Sequence, residues 1–368
     1  MRIPVAPVVR RVLVCLLSCA TLSAVPPAAA APRDEERPRI PFVQRYHAVQ
    51  HGGLARAANS AVTCRRSTAD GGTAQDPCVS ARLGRGAAAN HQYEMSYADV
   101  DDDPNTFNST RGELVLPQGA RVTYARLYWG GNLRVGEQKP PKDSGRVLIA
   151  EPGGAYKEVL ADSPVGHRTA NGADAFHATA DVTRLVRDSG PGMYTVAQVN
   201  VAMGRTAVGA WGGWTLVVAY ARGDAPLRHL SLWDGFETLA EGRRSFRLDT
   251  GPMRVPTGGS GRLGTVVYDG DRGLAGDSVA FEPHPGRTEP LTGSATTPGD
   301  AFDSTVADSG GPPTRRLPAH RNTLGYDSDV IDLSPALRRG ASDTAVRLGA
   351  ARDYLWLGAV FVEADARV

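Results

Sequence analysis

The chain has 368 residues, with 41 basic and 39 acidic side chains and a formal net charge of +2 at pH 7. A nearly neutral chain without a basic stripe is not typical of nucleic-acid-binding proteins, so we exclude nucleic acid as a partner. The length is more than one compact core usually serves, and it predicts two domains or one large β architecture.

The first 31 residues have the order of a secretory signal peptide. A basic start precedes an apolar run over residues 12–25, and small residues follow up to Ala31. This order predicts export with cleavage near Ala30 or Ala31, because the apolar run is shorter than the roughly 20 residues that span a bilayer. A lipoprotein-like box with Cys19 as the lipid carrier is the alternative. We therefore expect a protein without a transmembrane anchor, either released or associated with the cell surface.

Two cysteines, Cys64 and Cys78, remain after the predicted leader. A lone pair of cysteines in an oxidising compartment predicts one disulfide. A loop of this size stabilises the folded state by about 3 kcal/mol in the chain-entropy description.

Short apolar segments broken by Gly, Pro, Asp and Asn fill most of the remaining chain. Residues 33–41 are polar and proline-rich, and we therefore predict a flexible leader over residues 32–44. The segments that follow predict strands over residues 113–116, 121–129, 146–150, 194–202, 214–221, 228–233, 245–248, 263–268, 278–281, 345–348 and 354–362. Many short strands with almost no long helix predict an all-β fold of the β-sandwich or jelly-roll type, with short helical connectors.

A faint internal repeat suggests that the β-structure is divided in two. The segment TFNST at residues 106–110 recurs as AFDST at residues 301–305. Two related β domains, residues 45–222 and 223–368, would account for the repeat, and coincidence between short motifs is the alternative.

Eight short motifs together resemble a known group of proteins. They are NTFNST at 105–110, LPQGA at 116–120, ARLYW at 125–129, ADVT at 180–183, GWTLVV at 213–218, DGF at 234–236, GD at 276–277 and NTLGYD at 322–327. In this order they resemble an uncharacterised family, a domain of unknown function, of exported bacterial and archaeal proteins. In longer relatives this region often precedes the β-sandwich repeats of surface proteins. The resemblance implies a β fold and a surface location but no activity, and this chain lacks the repeats.

The first of two acidic turns contains Asp99, Asp101, Asp103 and Asn105. Oxygen side chains at alternate positions open many calcium loops, because Ca²⁺ takes six to eight oxygen ligands. The stretch lacks the glycine expected at the sixth position, and a solvated Asx turn is the alternative.

The second acidic turn contains Asp269, Asp271 and Asp277 among several glycines. Glycine permits positive φ angles, so the three carboxylates could converge on one ion. A tight loop without an ion is the alternative. Structural calcium is thus the one cofactor that the sequence suggests.

No catalytic motif appears: there is no nucleophile elbow, no zinc-binding histidine spacing and no phosphate loop. Trp211 lies in a predicted glycine-rich turn, AWGG at residues 210–213, and is the aromatic residue that could face a ligand. The sequence therefore favours a binding or surface-structural module over an enzyme, with cell-wall glycan or a surface protein as partner. An extracellular polysaccharide hydrolase with paired carboxylates is the alternative.

Overall fold

The protein is almost entirely β-structure. The computed structural model describes residues 37–65, 76–101, 103–292, 297–309 and 314–367. The helices of this part are short: α1 (Pro77–Arg82), α2 (Thr183–Ser189) and two 3₁₀ turns (Asn90–Gln92, Pro141–Asp143). The strands are β1 (Ile40–Ser60), β2 (Val62–Cys64), β3 (Met95–Tyr97), β4 (Ser109–Leu114), β5 (Arg121–Asn132), β6 (Arg146–Ala150), β7 (Lys157–Leu160), β8 (Gly166–Ala170), β9 (Ala173–Asp181), β10 (Gly192–Ala197), β11 (Gly212–Ala221), β12 (Leu227–Leu239), β13 (Ser245–Val255), β14 (Gly261–Tyr268), β15 (Ser278–His284), β16 (Arg287–Pro290), β17 (Arg316–Leu317), β18 (Tyr326–Asp327), β19 (Val330–Asp332), β20 (Ala341–Gly349) and β21 (Leu355–Asp365). The prediction of an all-β fold with short helical connectors is confirmed.

Antiparallel pairing organises these strands into four sheets. The largest has the order β18-β14-β21-β12-β1-β11-β5-β9-β8, with β19 also paired to β14. A five-stranded sheet has the order β17-β4-β10-β6-β7, and a four-stranded sheet has the order β13-β20-β15-β16. Strands β2 and β3 form a separate pair.

Strand β1 joins the two halves of the large sheet. Up to His51 it pairs with β12, and from Gly52 to Ser60 it pairs with β11. Gly52 has a φ angle of +152°, and a Cβ there would lie 1.9 Å from the Tyr220 carbonyl oxygen, so the crossing requires glycine. Residues 40–44, predicted as part of a flexible leader, belong to β1. That part of the prediction is wrong, because these residues pair with β12.

Side-chain alternation along the strands produces three apolar cores. The first lies between one half of the large sheet and the five-stranded sheet and contains Trp129 and Trp214. The second lies between the other half and the four-stranded sheet and contains Phe281 and Leu348. The third contains Tyr128, which points to the opposite face from its neighbour Trp129, and it fills the space between the two halves. The fold is therefore two β-sandwiches packed face to face, here called the first and second sandwich in chain order.

The boundary predicted between residues 222 and 223 falls in the connection from β11 to β12. Strand β1 contributes to both sandwiches, and a relationship between them by duplication stays a prediction. The predicted signal peptide, residues 1–31, lies outside the described residues. No helix in the described part of the chain is long and apolar enough to cross a membrane.

Candidate metal centre

The disulfide predicted between Cys64 and Cys78 is confirmed. It joins the end of β2 to the first turn of α1, with the two Cα atoms 5.7 Å apart. Asp76 caps α1 by accepting a hydrogen bond from the Cys78 N–H at 2.8 Å, and the Arg82 guanidinium donates to the Cys64 carbonyl oxygen. The bridge anchors the segment that leads to Asn90, a residue in contact with the acidic groups described below.

The first predicted calcium loop, from Asp99 to Asn105, is a hydrogen-bonded turn. Asp101 accepts the backbone N–H of Asp103 at 3.1 Å, and Asp103 accepts that of Asn105 at 2.9 Å. Asp99 accepts the Ser109 hydroxyl at 2.7 Å. These contacts are those of Asx turns, the alternative interpretation of the sequence. Within the described residues, the loop does not bring three carboxylate oxygens within 4.8 Å of one another.

The second predicted calcium loop belongs to a buried group of aspartates, here called the aspartate cluster. Asp269, Asp271 and Asp277 lie in the connection between β14 and β15, and aspartates from other segments lie near them. All members are buried. The Asp277 group consists of Asp269, Asp271, Asp277, Asp300 and Asp353, and the Asp327 group consists of Asp303, Asp327 and Asp329.

Turns at one end of the second sandwich position these side chains. Asp269 directly follows β14 and has a φ angle of +66°, which turns the chain away from the strand. Gly276 donates its N–H to the carbonyl oxygen of Gly299 at 2.7 Å. This hydrogen bond joins two separate loops and brings Asp277 and Asp300, which follow the two glycines, close to each other.

Asn90 links the Asp277 group to the first sandwich. Its side-chain amide nitrogen donates to Asp269 and Asp271, at 3.2 Å from each acceptor oxygen. Its backbone N–H donates to Asp271 at 3.3 Å. Asp353 in turn accepts the backbone N–H of Asp271 at 3.0 Å. The acidic turn is thus fastened to the segment anchored by the disulfide.

Asp277 differs from its neighbours because no described residue donates a hydrogen bond to it. Its exposed fraction is 2%, and both carboxylate oxygens lack a donor. Asp300 accepts the Gly273 N–H at 2.7 Å with Oδ2, while its Oδ1 also has no described donor. Leaving a buried polar atom unsatisfied costs about 1–3 kcal/mol, and more for a charged group. These oxygens therefore require a proton or a cation.

The Asp327 group is more compact. Asp303, Asp327 and Asp329 each provide one oxygen within 4.8 Å of the others. Oδ1 of Asp327 accepts the Thr305 N–H at 3.0 Å, whereas Oδ2 has no donor among the described residues. Oδ1 of Asp329 accepts the backbone N–H of Ala307 at 2.7 Å.

Burial dominates the protonation behaviour of the aspartate cluster. It raises the pKa of Asp277 to about 8 and that of Asp353 to about 7, with neighbouring carboxylates adding to both effects. It raises the pKa of Asp271 to about 6 and that of Asp329 to about 8. The pKa of Asp327 lies well above its ordinary value for the same reason. Without a cation, the cluster therefore holds protons at neutral pH.

Trp211, predicted to face a ligand from an exposed turn, has an exposed fraction of 0%. The prediction of exposure is wrong because the neighbouring glycine allows close packing: a Cβ on Gly212 would lie 2.6 Å from the Gly130 carbonyl oxygen. The indole packs against Tyr268 and Trp356 in the third core.

An open groove of about 540 Å³ lies beside β7 and α2. It is lined by several carboxylates, of which Asp162 is held by the Arg126 guanidinium and by the backbone N–H of Asp181. Among the described lining residues no aromatic side chain provides a stacking surface for sugar. Polysaccharide hydrolysis stays a hypothesis.

Five members of the cluster are not among the site residues predicted from the sequence, although two of them lie in motifs noted above. Asp303 lies in the repeat segment 301–305, and Asp327 ends the motif at 322–327. Asp300, Asp329 and Asp353 carry no comparable local signal.

Comparison with known proteins identifies no family. No protein-family model matches the chain, and no curated protein matches it either. Among solved structures, the major capsid protein P2 of bacteriophage PM2 aligns over 85% of this chain and 98% of its own, at 11% identity and a TM-score of 0.21. A protein in the structure of Sulfolobus turreted icosahedral virus aligns over 71% and 90%, at 11% identity and a TM-score of 0.24. The glycosylasparaginase PNGase F from Flavobacterium meningosepticum aligns over 73% and 94%, at 13% identity and a TM-score of 0.18. Similarities this low support no conclusion about function.

Proposed function

We propose that the chain is an exported β-sandwich module that binds cell-wall glycan or another surface protein and contains structural calcium bound through Asp277. The calcium part is carried by one observation: both oxygens of Asp277 are buried among carboxylates without a described hydrogen-bond donor. The sequence-based prediction of calcium at Asp269, Asp271 and Asp277 points to the same loop.

Calcium is the cation that suits this environment. Ca²⁺ accepts carboxylates and carbonyls in irregular arrangements of six to eight oxygens, whereas Mg²⁺ requires a nearly ideal octahedron and retains water. The Asp277 group offers carboxylates in the connections between strands, where the backbone is irregular. Zinc would favour nitrogen or sulfur ligands in a tetrahedron.

Three features support export and a surface role. The leader has the order of a signal peptide, the Cys64–Cys78 bridge belongs to a type of bond that persists in oxidising compartments, and the motifs resemble an exported family. The family resemblance supports the surface location, and the sequence, which contains no catalytic motif, favours a binding or structural role there.

Calorimetric titration of the calcium-depleted protein with CaCl₂ tests the ion. We expect wild type to bind Ca²⁺ and Asp277→Asn to lose one site. Asp188→Asn is the matched control, because it makes the same change at a carboxylate whose side chain is 70% exposed. Equal binding by Asp277→Asn and wild type would refute calcium at Asp277.

Fractionation of bacteria expressing the tagged full chain tests export. We expect the protein in the medium or the envelope, with Cys64 and Cys78 protected from alkylation until a reductant is added. Sedimentation with isolated cell walls then tests the partner. A cytoplasmic protein with reactive thiols would contradict the export part, and absence of sedimentation would count against cell-wall glycan.

A further inference from the structure

We infer that Asp303, Asp327 and Asp329 form a second divalent-cation site, suited to Ca²⁺ and distinct from the ion proposed at Asp277. The inference rests on the geometry of these three side chains and does not require the ion at Asp277.

The spacing of the three carboxylates matches one ion. One oxygen from each of Asp303, Asp327 and Asp329 lies within 4.8 Å of the other two. Ca²⁺ binds oxygen at roughly 2.4 Å, so two ligands on opposite sides of the ion are about 4.8 Å apart. Three oxygens inside that limit meet the pairwise spacing that a shared cation requires.

The local chain path explains why the three side chains meet. Asp327 ends β18 and Asp329 lies two residues further along, directly before β19, and this is the spacing at which side chains of a strand share one side. The loop carrying Asp303 runs alongside: Ser328 donates its N–H to the Thr305 carbonyl oxygen at 2.9 Å. The site is therefore assembled by backbone pairing and not by loose surface side chains.

The hydroxyl of Thr305 lies between Asp303 and Asp329 and cannot satisfy both carboxylates, while the hydroxyl of Thr297 donates to Oδ2 of Asp303. Oγ1 of Thr305 lies 3.1 Å from Oδ1 of Asp303, and 3.0 and 2.8 Å from the two oxygens of Asp329. A hydroxyl has one hydrogen to donate, so it can satisfy one of these oxygens at a time. The remaining close oxygen contacts are repulsive unless a proton or a cation lies between them.

Asp327 supplies the independent indication that a ligand is required. It is 0% exposed, and its Oδ2 has no described donor. The same oxygen lies 2.6 Å from the position that a Cβ on Gly270 would occupy, and the Phe302 carbonyl oxygen lies 2.3 Å from that position. A carboxylate oxygen and a carbonyl oxygen thus face the same small space, and both are ligand types that Ca²⁺ accepts.

The nearby arginines compensate this charge only in part. The Arg272 guanidinium lies 3.4 Å from Oδ2 of Asp303. Arg56 lies near Asp329 but donates its Nη2–H to the Ala307 carbonyl oxygen at 3.1 Å. Three buried carboxylates with one direct guanidinium contact leave negative charge for a divalent cation to neutralise.

Equilibrium dialysis with radioactive Ca²⁺ at saturation measures the number of ions. We expect two ions per wild-type chain, one for Asp327→Asn, one for Asp277→Asn and none for the double variant. Asp188→Asn, the exposed control, should retain two. Two ions bound to Asp327→Asn would overturn this inference and leave the proposed function intact. One ion bound to Asp327→Asn but two bound to Asp277→Asn would support this inference and refute the ion proposed at Asp277.

Wild-type protein provides a measurement that does not depend on the folding of any variant. If protons alone hold the group, infrared spectra should show protonated carboxyl bands that Ca²⁺ leaves unchanged, and dialysis of the wild type should find no bound Ca²⁺. Either result would overturn the second site. We expect instead that two equivalents of Ca²⁺ convert these bands to those of ionised carboxylates, with the second equivalent still producing a change.

Discussion

Replacing Asp277 with Asn should stabilise the protein in calcium-free buffer. Burial and the neighbouring carboxylates raise the pKa of Asp277 from 3.8 to about 8. At pH 7 the folded protein therefore holds a proton that the unfolded chain releases, and each pKa unit between 3.8 and 7 costs about 1.4 kcal/mol. Asparagine has nearly the same shape and no charge, so we expect its free energy of unfolding to exceed that of wild type by about 4 kcal/mol.

Calcium should raise the free energy of unfolding of wild type relative to that of Asp277→Asn. At a Ca²⁺ concentration of 100 times Kd, binding stabilises the folded state by about 2.7 kcal/mol per site. The free energy of unfolding of wild type should rise by this amount relative to Asp277→Asn, so the stability advantage of the variant becomes smaller. Differential scanning calorimetry with and without Ca²⁺ measures both effects, with Asp188→Asn expected to stay within about 0.5 kcal/mol of wild type.

The stability of the calcium-free protein should also depend on pH in a defined direction. The raised pKa of Asp277 means that its stabilising contribution is complete below pH 3.8 and is lost as the pH rises towards about 8. The calcium-free wild type should therefore lose more stability than Asp277→Asn between pH 5 and pH 8. If the variant is less stable than wild type without calcium, Asp277 is an ordinary satisfied side chain and the reasoning fails.

Three further predictions concern the rest of the fold. Replacing Cys64 and Cys78 with Ser should lower the free energy of unfolding by about 3 kcal/mol in urea denaturation, and reduction of wild type should give the same loss. Burial and nearby arginine charges lower the pKa of His177 from 6.5 to about 3, so its contribution to stability is lost as the pH falls below 6.5. Between pH 7 and pH 5, wild type should lose about 2 kcal/mol more than His177→Gln, and equal losses would contradict this. Arg126→Met should destabilise by about 3–5 kcal/mol, because it breaks the buried ion pair with Asp234; a loss below 1 kcal/mol would show that Arg45 compensates.

The β fold was predictable because its cause is local. The nearly continuous apolar run over residues 214–220 predicts a strand covered on both faces, and β11 lies in the interior of the large sheet between β1 and β5. The segment at residues 40–44 adjoins the polar, proline-rich stretch at residues 33–41, and this context predicts no strand. It becomes one because β12 offers a partner that lies about 190 residues away along the chain.

The site was only partly predictable because most of it is assembled over long distances. The loop with the more regular calcium-like spacing, Asp99 to Asn105, satisfies its carboxylates with its own backbone N–H groups and nearby hydroxyls and needs no ion for that purpose. The cluster around Asp277 instead draws on residues far apart in sequence, such as Asp353, and nothing in local spacing reveals that they meet. The prediction that Trp211 is exposed was wrong because its neighbouring glycines, which indicated an open turn, instead allow close packing with distant segments.

Under the two proposals, the stability of the fold depends on the compartment in which the chain lies. Before export the chain meets reducing conditions and scarce free calcium, where the repulsion among buried carboxylates and the unformed Cys64–Cys78 bridge both disfavour the folded state. Outside the cell, oxidation anchors the segment that leads to Asn90, and Asn90 donates to the acidic turn that calcium would neutralise. The disulfide and the cations would then stabilise one junction between the sandwiches from its two sides, so that loss of either should weaken the effect of the other.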